Sequence, residues 1–300
     1  MPTDVVVVSY NSRGHIRGCV EPLSRLPGVH VVVVDNASDD ESLAAVSDLP
    51  VSTIERPENG GFAVGCNAGW RAGTGRFVVF LNPDATIDEN SLRRLTGVLA
   101  ADSAVGAVAP RIERPDGSRA LSLRRFPRAR STFAQALFLH RLFPRSAWCD
   151  EHVKRAVDYT RPWSPEWVSG ACIALRRSVL EELGGWDEGF FLYGEDVDLC
   201  FRLRRAGYDV RYEPSARVVH DEGASSSRAA SLPRLAAARI RFARKHYSGR
   251  GAVLERAGVA LWALTRIVVS RGGRKDRAGH ARALGVALRG AEITPPGGRS

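Results

Sequence analysis

The chain has 300 residues, 44% of them hydrophobic, and a formal net charge of +10 at pH 7. This composition supports one sizeable folded core and excludes a globally disordered chain. The five cysteines, at positions 19, 66, 149, 172 and 200, have neither CxxC spacing nor a regular framework, so neither disulfides nor a zinc site are expected. We also expect no secretory signal and no membrane-spanning helix, since no apolar run approaches about 20 residues.

The first 112 residues alternate short β-branched runs with stretches of helical length. Strands are predicted at 4–11, 30–38, 51–59, 76–85 and 105–112. Helices are predicted at 13–26, 62–72 and 88–102, the last beginning at Asp88. This alternation predicts an α/β fold with a mixed, mostly parallel sheet, in which ligands bind at the carboxyl ends of the strands. Polar residues stand at those ends: Tyr10, Asn11, Asp35, Asn36, Asn82 and Asp84.

The remaining sequence is less regular before it becomes helical again. Residues 113–165 are irregular and include an apolar patch at 133–144. Further along, we predict a strand and a glycine-terminated helix within 167–186, a helix from 196 to Gly207, and a short strand at 216–219 followed by His220. From about 226 onward we expect basic helices and a frayed Gly/Pro-rich end.

The positive charge is concentrated in this last part of the chain. Residues 221–300 hold 16 Lys and Arg against 5 Asp and Glu, whereas residues 1–220 are nearly neutral. Such asymmetry predicts an anionic partner, either a membrane surface or a nucleic acid. The neutral remainder of the chain and the lack of a nucleic-acid-binding motif argue against the nucleic acid.

Each candidate site residue has two interpretations when it is taken alone. Asp35 could bind a base or a ribose hydroxyl, or it could close a turn. The glycine-rich stretch 59–69 could cradle a diphosphate at a helix start, or it could allow tight helix–sheet packing. It is neither a GxGxxG motif nor a P-loop. Asp84 could bind Mg²⁺ or Mn²⁺ beside a diphosphate, or it could belong to an Asn-Pro-Asp turn.

The same ambiguity applies to His220 and to the acids near residue 195. His220 is either a metal ligand or an ordinary polar residue at a strand end. Glu195 and Asp196 are either functional or simply first-turn acids that complement the helix dipole. Asp198 and Arg202 are expected to form an i,i+4 ion pair on this helix.

Taken in order, six segments resemble the family 2 inverting glycosyltransferases of the GT-A fold, and in particular the bacterial branch that includes rhamnosyltransferases. The similarity covers residues 4 to about 226. The segments are VVVVSYNS, VVVVDNASDD, ERPENGGFAVGCNAG, FLNPDA, WVSGACIALRRS and GGWDEGFFLYGEDVDLCFRLRRAGYDVRYEPSARVVH. It implies a GT-A (Rossmann-like) domain at 1–225, with 113–165 on the acceptor side, and a basic helical tail at 226–300.

The resemblance also implies roles for individual residues. The nucleotide sugar would be bound by Tyr10, Asn11, Asp35, Asn36, Gly61, Asn67 and Asn82. Mg²⁺ or Mn²⁺ would be bound by Asp84 and His220, although Asn82 replaces the first acid of the family's DxD motif. Asp196 would be the catalytic base. Trp167, Gly170 and Glu195 would lie on the acceptor side.

The implied reaction transfers L-rhamnose from dTDP-rhamnose to a polyprenyl-diphospho-GlcNAc acceptor, with inversion. The apolar patch and the basic tail suit a protein that is cytoplasmic and peripheral on the inner face of the cell membrane. Tail helices that simply pack on the core are the other interpretation. Alternative activities are transfer from UDP-galactofuranose, UDP-glucose or UDP-GlcNAc, or a nucleotidyltransferase reaction. The last is disfavoured because a basic phosphate loop is missing after the first strand.

Overall fold

The structure is a computed structural model that describes residues 1–221, 228–269 and 273–290. Its strands are β1 (Thr3–Ser9), β2 (Val29–Asp35), β3 (Ser52–Glu55), β4 (Phe77–Leu81), β5 (Ala85–Ile87), β6 (Val105–Glu113), β7 (Leu123–Arg124), β8 (Trp167–Val168), β9 (Cys172–Arg176) and β10 (Asp209–His220). Its α-helices are α1 (Ile16–Ser24), α2 (Phe62–Ala72), α3 (Glu89–Ala101), α4 (Ala129–Ala136), α5 (Leu139–Leu142), α6 (Arg177–Leu183), α7 (Glu195–Arg205), α8 (Arg228–His246), α9 (Gly249–Val269) and α10 (Gly273–Arg289).

Eight strands form one mixed sheet in the order β3-β2-β1-β4-β9-β6-β10-β5. The β3-β2-β1-β4 half is parallel, β9 is antiparallel to both of its neighbours, and β10 is parallel to β6. Strands β7 and β8 form a separate antiparallel pair. This topology confirms the predicted α/β fold with a mostly parallel mixed sheet and a helical C-terminal region.

The valine runs form strands because both faces of the sheet are covered. Along β1, Val6 and Val8 belong to the core on the α2 side, whereas Val5 and Val7 belong to the core on the α1 and α3 side. Complete burial of such a side chain contributes about 1.5–3 kcal/mol, so a continuous apolar strand suits a central position.

The glycines of α2 allow this helix to approach the sheet closely. A Cβ at Gly65 would lie 2.6 Å from Cγ1 of Val8, and one at Gly69 would overlap Val6. The packing interpretation of this glycine-rich stretch therefore holds for Gly65 and Gly69, inside the helix. Gly61, which precedes the helix, lies against the carbonyl of Phe191 instead.

Three predicted strands have different bounds in the structure. The segment 76–85, predicted as one strand, contains two, because the turn at 82–84 separates β4 from β5. Strand β5 pairs with β10. The 216–219 prediction is only the end of the 12-residue β10. A register shift between Glu213 and Arg217 interrupts the pairing of β10 with β6, which conceals its length in the sequence pattern. Of the strand predicted at 51–59, only Ser52–Glu55 form a strand, β3.

The C-terminal helices α8, α9 and α10 share an apolar cluster of their own and also pack on the rest of the protein. Ala238 and Phe242 of α8 belong to the main core, and Gly258 of α9 lies against Thr132 of α4. No helix in the described ranges combines the length and the apolar character needed to cross a bilayer. The predicted boundary at 225/226 lies outside the described residues, as do residues 291–300, which include the Gly/Pro-rich end that was predicted to be frayed.

A buried ion cluster fastens α8 to α7. The Asp198 carboxylate is fully buried and lies 2.7 Å from Nε of Arg202, from Nζ of Lys245 and from Nε2 of His246. Burial alone would raise the pKa of Asp198, but the hydrogen bond from His246 and the charges of Arg202 and Lys245 lower the pKa to about 2. The predicted Asp198–Arg202 pair is thus part of a larger tail-docking cluster.

Candidate functional site

The loops that follow β1 and β2 form one hydrogen-bonded unit at the carboxyl edge of the sheet. Asp35 accepts hydrogen bonds from the backbone nitrogen and the hydroxyl of Ser38, at 2.8 and 2.6 Å. The Ser38 hydroxyl in turn accepts one from the backbone nitrogen of Asn11 at 2.9 Å, and the Asn11 side chain accepts one from the Asp39 nitrogen at 2.8 Å. Tyr10 is 45% exposed beside them. Asp35 closes a turn here, and the unit lies where a ligand is expected.

Asn36 connects this unit to the glycine-rich segment. Its side-chain nitrogen donates a 2.9 Å hydrogen bond to the carbonyl of Gly61. Its side-chain oxygen is buried and has no partner among the described residues. Gly61 has φ 91°, and a Cβ there would overlap the carbonyl of Phe191, so glycine is required at this position.

Asn67, which was predicted to lie near the nucleotide or diphosphate, forms four hydrogen bonds within the protein. Its side-chain nitrogen donates to the Trp186 carbonyl at 2.9 Å and to the Glu188 carboxylate at 2.8 Å. Its side-chain oxygen accepts from the Trp70 indole and from the Trp186 backbone nitrogen, both at 2.9 Å. Because an amide has two donor hydrogens and two acceptor lone pairs, these four hydrogen bonds use its full capacity and hold α2 against the Trp186 segment.

The structure brings Asp84 and His220 together. Antiparallel pairing of β5 with β10 places His220 opposite Ala85. As a result His220 Nε2 lies 3.0 Å from Asp84 Oδ1 and 3.2 Å from the side-chain nitrogen of Asn82. A carboxylate and an imidazole are suitable ligands for a divalent cation. The described residues contain no group of three or more such ligands, so a cation here would need further ligands from a bound molecule.

Asp196 lies at the start of α7, which begins after Gly194, a residue with φ 86°. Its Oδ2 accepts a hydrogen bond from the Gly170 nitrogen at 3.1 Å, and its Oδ1 accepts one from the Val197 nitrogen at 2.8 Å. Burial raises the pKa of Asp196, while the hydrogen bond from Gly170 and the charge of Arg124 oppose that rise. A carboxylate that is held by backbone and has a raised pKa is well suited to accept a proton.

Glu195 is more deeply buried than its neighbour. The residue is 6% exposed, and its Oε2 has no hydrogen-bond partner among the described residues. Burial, reinforced by the negative charge of Asp196, raises the pKa of Glu195. The two adjacent acids at the start of α7 therefore both have a raised pKa.

A cavity of about 590 Å³ opens beside the two acids. Core residues on its wall include Arg124, Trp167, Ser169, Glu195 and Asp196. The opposite wall comes from α8 and α9 and includes Leu232, Leu235, Ala236, Val259 and Trp262. Trp167 and Glu195, both predicted on the acceptor side, thus line one cavity, and Gly170 donates a hydrogen bond to Asp196 of the same cavity wall.

Two neighbouring backbone groups connect the cavity with the Asp84–His220 pair. The Ala171 carbonyl accepts a 2.9 Å hydrogen bond from the Asn82 nitrogen, while the adjacent Gly170 nitrogen donates to Asp196. The predicted cation-side and base-side residues are therefore held on the same short segment.

Sequence reasoning missed two arginines of this cavity. Arg124 lies over the Trp167 ring at 5.1 Å, and Arg239 of α8 pairs with Glu151 and Glu255. Arg239 also donates to the Thr132 hydroxyl at 2.6 Å. A sequence signal existed for Glu255, which is a lone acid on a helix that is otherwise apolar or basic. No local signal existed for Arg124.

Comparison with known proteins identifies the family. The model of "Glycosyl transferase family 2" matches residues 4–184. An N-acetylglucosaminyl-diphospho-decaprenol L-rhamnosyltransferase of Mycobacterium tuberculosis (strain CDC 1551 / Oshkosh) is 32% identical over 240 residues, which cover 75% of this chain and 77% of the relative. A pre-mycofactocin glycosyltransferase of the same organism is 34% identical, over 73% of this chain and 43% of that protein.

Solved structures agree with the fold. A mannosyltransferase from Pyrobaculum calidifontis, in complex with GDP-Man and Mn²⁺, superposes with a TM-score of 0.62 at 20% identity. The superposition covers 97% of this chain and 88% of that chain. Both the predicted family and the predicted fold are confirmed: this chain belongs to glycosyltransferase family 2.

Proposed function

We propose that this protein transfers L-rhamnose from dTDP-rhamnose to a hydroxyl of a polyprenyl-diphospho-GlcNAc acceptor, with inversion at the anomeric carbon. The observation that carries this proposal is Asp196, whose carboxylate is held by the Gly170 amide on the wall of a cavity adjoining the carboxyl edge of the sheet. The sugar and the acceptor are suggested by the 32% identical relative, whose name specifies L-rhamnosyl transfer to a decaprenol-linked saccharide.

In the proposed reaction Asp196 accepts the proton of the acceptor hydroxyl. The oxygen attacks the anomeric carbon from the face opposite the diphosphate, the bond to the diphosphate breaks, and the configuration inverts in one step. Such a base contributes about 10²–10⁴-fold to the rate when it lies within hydrogen-bond reach of the hydroxyl. The hydrogen bonds from Gly170 and Val197 hold the carboxylate in position for this transfer.

The donor is proposed to occupy the carboxyl edge of β1, β2 and β4. Tyr10, Asn11, Asp35 and Asn36 would surround the nucleotide, since their loops form one unit at this edge. Gly61 would let the donor approach the start of α2, where a helix N-terminus favours a diphosphate. Asn82 would position the neighbouring pair, since its side chain contacts His220.

Asp84 and His220 would hold Mg²⁺ or Mn²⁺, and their 3.0 Å separation fits two ligands of one ion. When bound, this ion would neutralise charge that develops on the leaving diphosphate. The two residues supply one oxygen and one nitrogen ligand, so diphosphate oxygens and water would complete the coordination.

We also propose that the protein works at an anionic membrane surface on the cytoplasmic side. Helix α9 exposes an apolar stripe of Val253, Ala257, Leu264 and Val268, which recur at helical spacing. Leu142 and Phe143, from the apolar patch, are exposed at 73% and 58%. The apolar stripe, together with the excess of arginines in this part of the chain, suits a helix that lies in a membrane interface.

A panel of nucleotide sugars tests the proposed reaction. The protein is incubated with each sugar, Mn²⁺ or Mg²⁺, and polyprenyl-diphospho-GlcNAc, and the free nucleotide and the glycolipid are measured. Release of dTDP together with a rhamnosylated lipid is expected. Release of UDP from a UDP-sugar would indicate another donor, and release of pyrophosphate would indicate nucleotidyl transfer instead.

A further inference from the structure

The cavity beside Asp196 combines two kinds of wall that a water-soluble acceptor would not need. Its core side carries the charged residues Arg124, Glu195 and Asp196. Its tail side is mostly apolar and is lined by Leu232, Leu235, Ala236, Val259 and Trp262, beside Ser231 and the ion-paired Arg239. Its volume of about 590 Å³ lies within the range of ligand sites, about 300–1,000 Å³. An apolar wall that faces a charged one fits an amphiphile whose polar end lies at Asp196.

The two arginines of this cavity differ in their electrostatic state. Arg239 is compensated by the carboxylates of Glu151 and Glu255, with which it forms ion pairs. Arg124 forms no ion pair with any described residue, and its Nε is buried without a hydrogen-bond partner. A guanidinium that forms no ion pair at the wall of a cavity is a site for an anionic group of a ligand, most favourably a phosphate.

The position of Arg124 relates it to the proposed base. It lies on β7 in register with Trp167 of β8, and Trp167 precedes the Gly170 amide that holds Asp196. Arg124 and Asp196 line the same cavity, and the charge of Arg124 lowers the pKa of Asp196, although burial keeps that pKa raised. The anion bound by Arg124 is therefore close to the hydroxyl that Asp196 deprotonates.

We propose that Arg124 binds the diphosphate of the lipid-linked acceptor and that α8 and α9 bind the first part of its hydrocarbon chain. This inference rests on the proposed function for the identity of the acceptor. It assigns the C-terminal helices a direct part in substrate binding: the lipid enters a cavity that they wall, rather than remaining wholly in the membrane. Leu235, which is 44% exposed, is the accessible apolar residue of that wall.

Binding of farnesyl diphosphate, farnesol, inorganic diphosphate and dTDP to the full chain tests this proposal without turnover. Isothermal calorimetry gives the affinities, and a change in the intrinsic tryptophan fluorescence, to which Trp167 and Trp262 contribute, accompanies entry into the cavity. We expect farnesyl diphosphate to bind more tightly than farnesol or inorganic diphosphate. Arg124→Gln should weaken the binding of farnesyl diphosphate by about tenfold or more, to the affinity of farnesol, and leave the affinity for dTDP unchanged. Arg124→Lys, which keeps the charge, should restore most of the loss.

Matched variants separate the two walls. Leu235→Ser should weaken the binding of farnesyl diphosphate and of farnesol alike and leave the affinity for inorganic diphosphate unchanged. Arg76→Gln and Leu288→Ser are the controls, since Arg76 also lies over an aromatic ring, that of Phe77, and Leu288 is 64% exposed, yet neither lines the cavity. Thermal unfolding of each variant confirms that it is folded.

Two results would overturn the inference. In the first, the Arg124→Gln variant binds farnesyl diphosphate as tightly as the wild type does. In the second, the variant loses its affinity for dTDP instead, which would assign Arg124 to the donor site. If the wild type transfers no sugar but its farnesyl diphosphate binding depends on Arg124, the sugar-transfer proposal fails while this one stands. If transfer to the lipid occurs and binding is independent of Arg124, only this inference fails.

Discussion

The backbone nitrogen of Gly170 lies 3.1 Å from Oδ2 of Asp196 and fixes that carboxylate on the cavity wall. A Cβ at residue 170 would lie 3.3 Å from the Cβ of Asp196, so the loop and the helix start are in close contact. This contact distinguishes Asp196 from Glu195, whose Oε2 has no such partner among the described residues.

Asp196→Asn is expected to lower kcat by about 10²–10⁴-fold, because the amide cannot accept the proton of the acceptor hydroxyl. Binding of dTDP, measured by calorimetry, should stay within about twofold of wild type, since the amide is isosteric with the carboxylic acid. Glu195→Gln is the neighbouring control and should retain more activity than Asp196→Asn. A larger loss in Glu195→Gln would transfer the role of base to Glu195.

The pH dependence should show a raised apparent pKa. Burial raises the pKa of both Glu195 and Asp196, and a base acts only when it is deprotonated. The acid limb of kcat/KM should therefore lie above the ordinary range of an aspartate, with activity rising as the pH rises through it. Arg124→Gln should move that limb to still higher pH, because the positive charge of Arg124 lowers the pKa of Asp196. A limb that stays near pH 4 would contradict a buried base.

Asp84→Ala and His220→Ala should each weaken the effect of Mn²⁺ on dTDP binding. Loss of one of two protein ligands typically costs a large part of the affinity for the ion, and we expect about tenfold or more. Calorimetric titration of dTDP with and without Mn²⁺ measures the effect. His30→Ala is a matched control, since His30 lies 3.2 Å from Asp4 in another histidine–aspartate pair. That pair stands at the amino ends of β1 and β2, away from the carboxyl ends of the strands. Unchanged titrations in both site variants would reject the metal assignment.

Asp198→Asn should lower the free energy of unfolding by about 3–5 kcal/mol, because it leaves the buried cations of the cluster without their carboxylate. Asp48→Asn, at an exposed pair with Arg17, should cost at most about 1 kcal/mol. Urea unfolding compares the two. The pKa of Asp198 is lowered on folding, so its contribution is complete above the ordinary aspartate pKa and is lost as the pH falls toward about 2. Equal effects of the two variants would contradict a docking role for Asp198.

Exchange of two residues of the α9 stripe should reduce membrane binding. Leu264→Glu combined with Val268→Glu is expected to weaken flotation with anionic vesicles by about tenfold or more, since it removes apolar insertion and adds repulsion. Leu288→Glu on α10 is the control, at a residue that is also exposed. Point variants are preferable to a truncation at 226, because Ala238 and Phe242 belong to the main core. Equal flotation of both variants would reject the stripe as a membrane contact.

The sequence predicted the sheet well because its strands are locally recognisable. Four successive valines in β1 and in β2 can be buried only in a central strand, and the structure places them there. β10 was only partly predicted, since its register shift and Pro214 interrupt the alternating pattern. The turn at 82–84 likewise separates β4 from β5, which were predicted as one strand.

The site was predicted through the family resemblance more than through local pattern. Asp84 and His220 are 136 residues apart in sequence, and only the pairing of β5 with β10 brings them together. The saturation of Asn67 depends on residues 119 and 121 positions away, which no local rule identifies. The packing of α8 and α9 against the cavity is equally non-local, so composition alone could not distinguish a tail that packs on the core from one that binds only a membrane.

The first turn of α7 carries both the proposed base and, two residues later, the anchor of the C-terminal helices. Exchanging residues 228–289 for those of a relative would leave Asp198 facing foreign side chains in place of Lys245 and His246, on the turn that positions Asp196. Under the proposed function, a change of the C-terminal helices would therefore alter acceptor binding and the position of the base together. A chimera that keeps its activity must carry compatible partners for Asp198 along with the new helices.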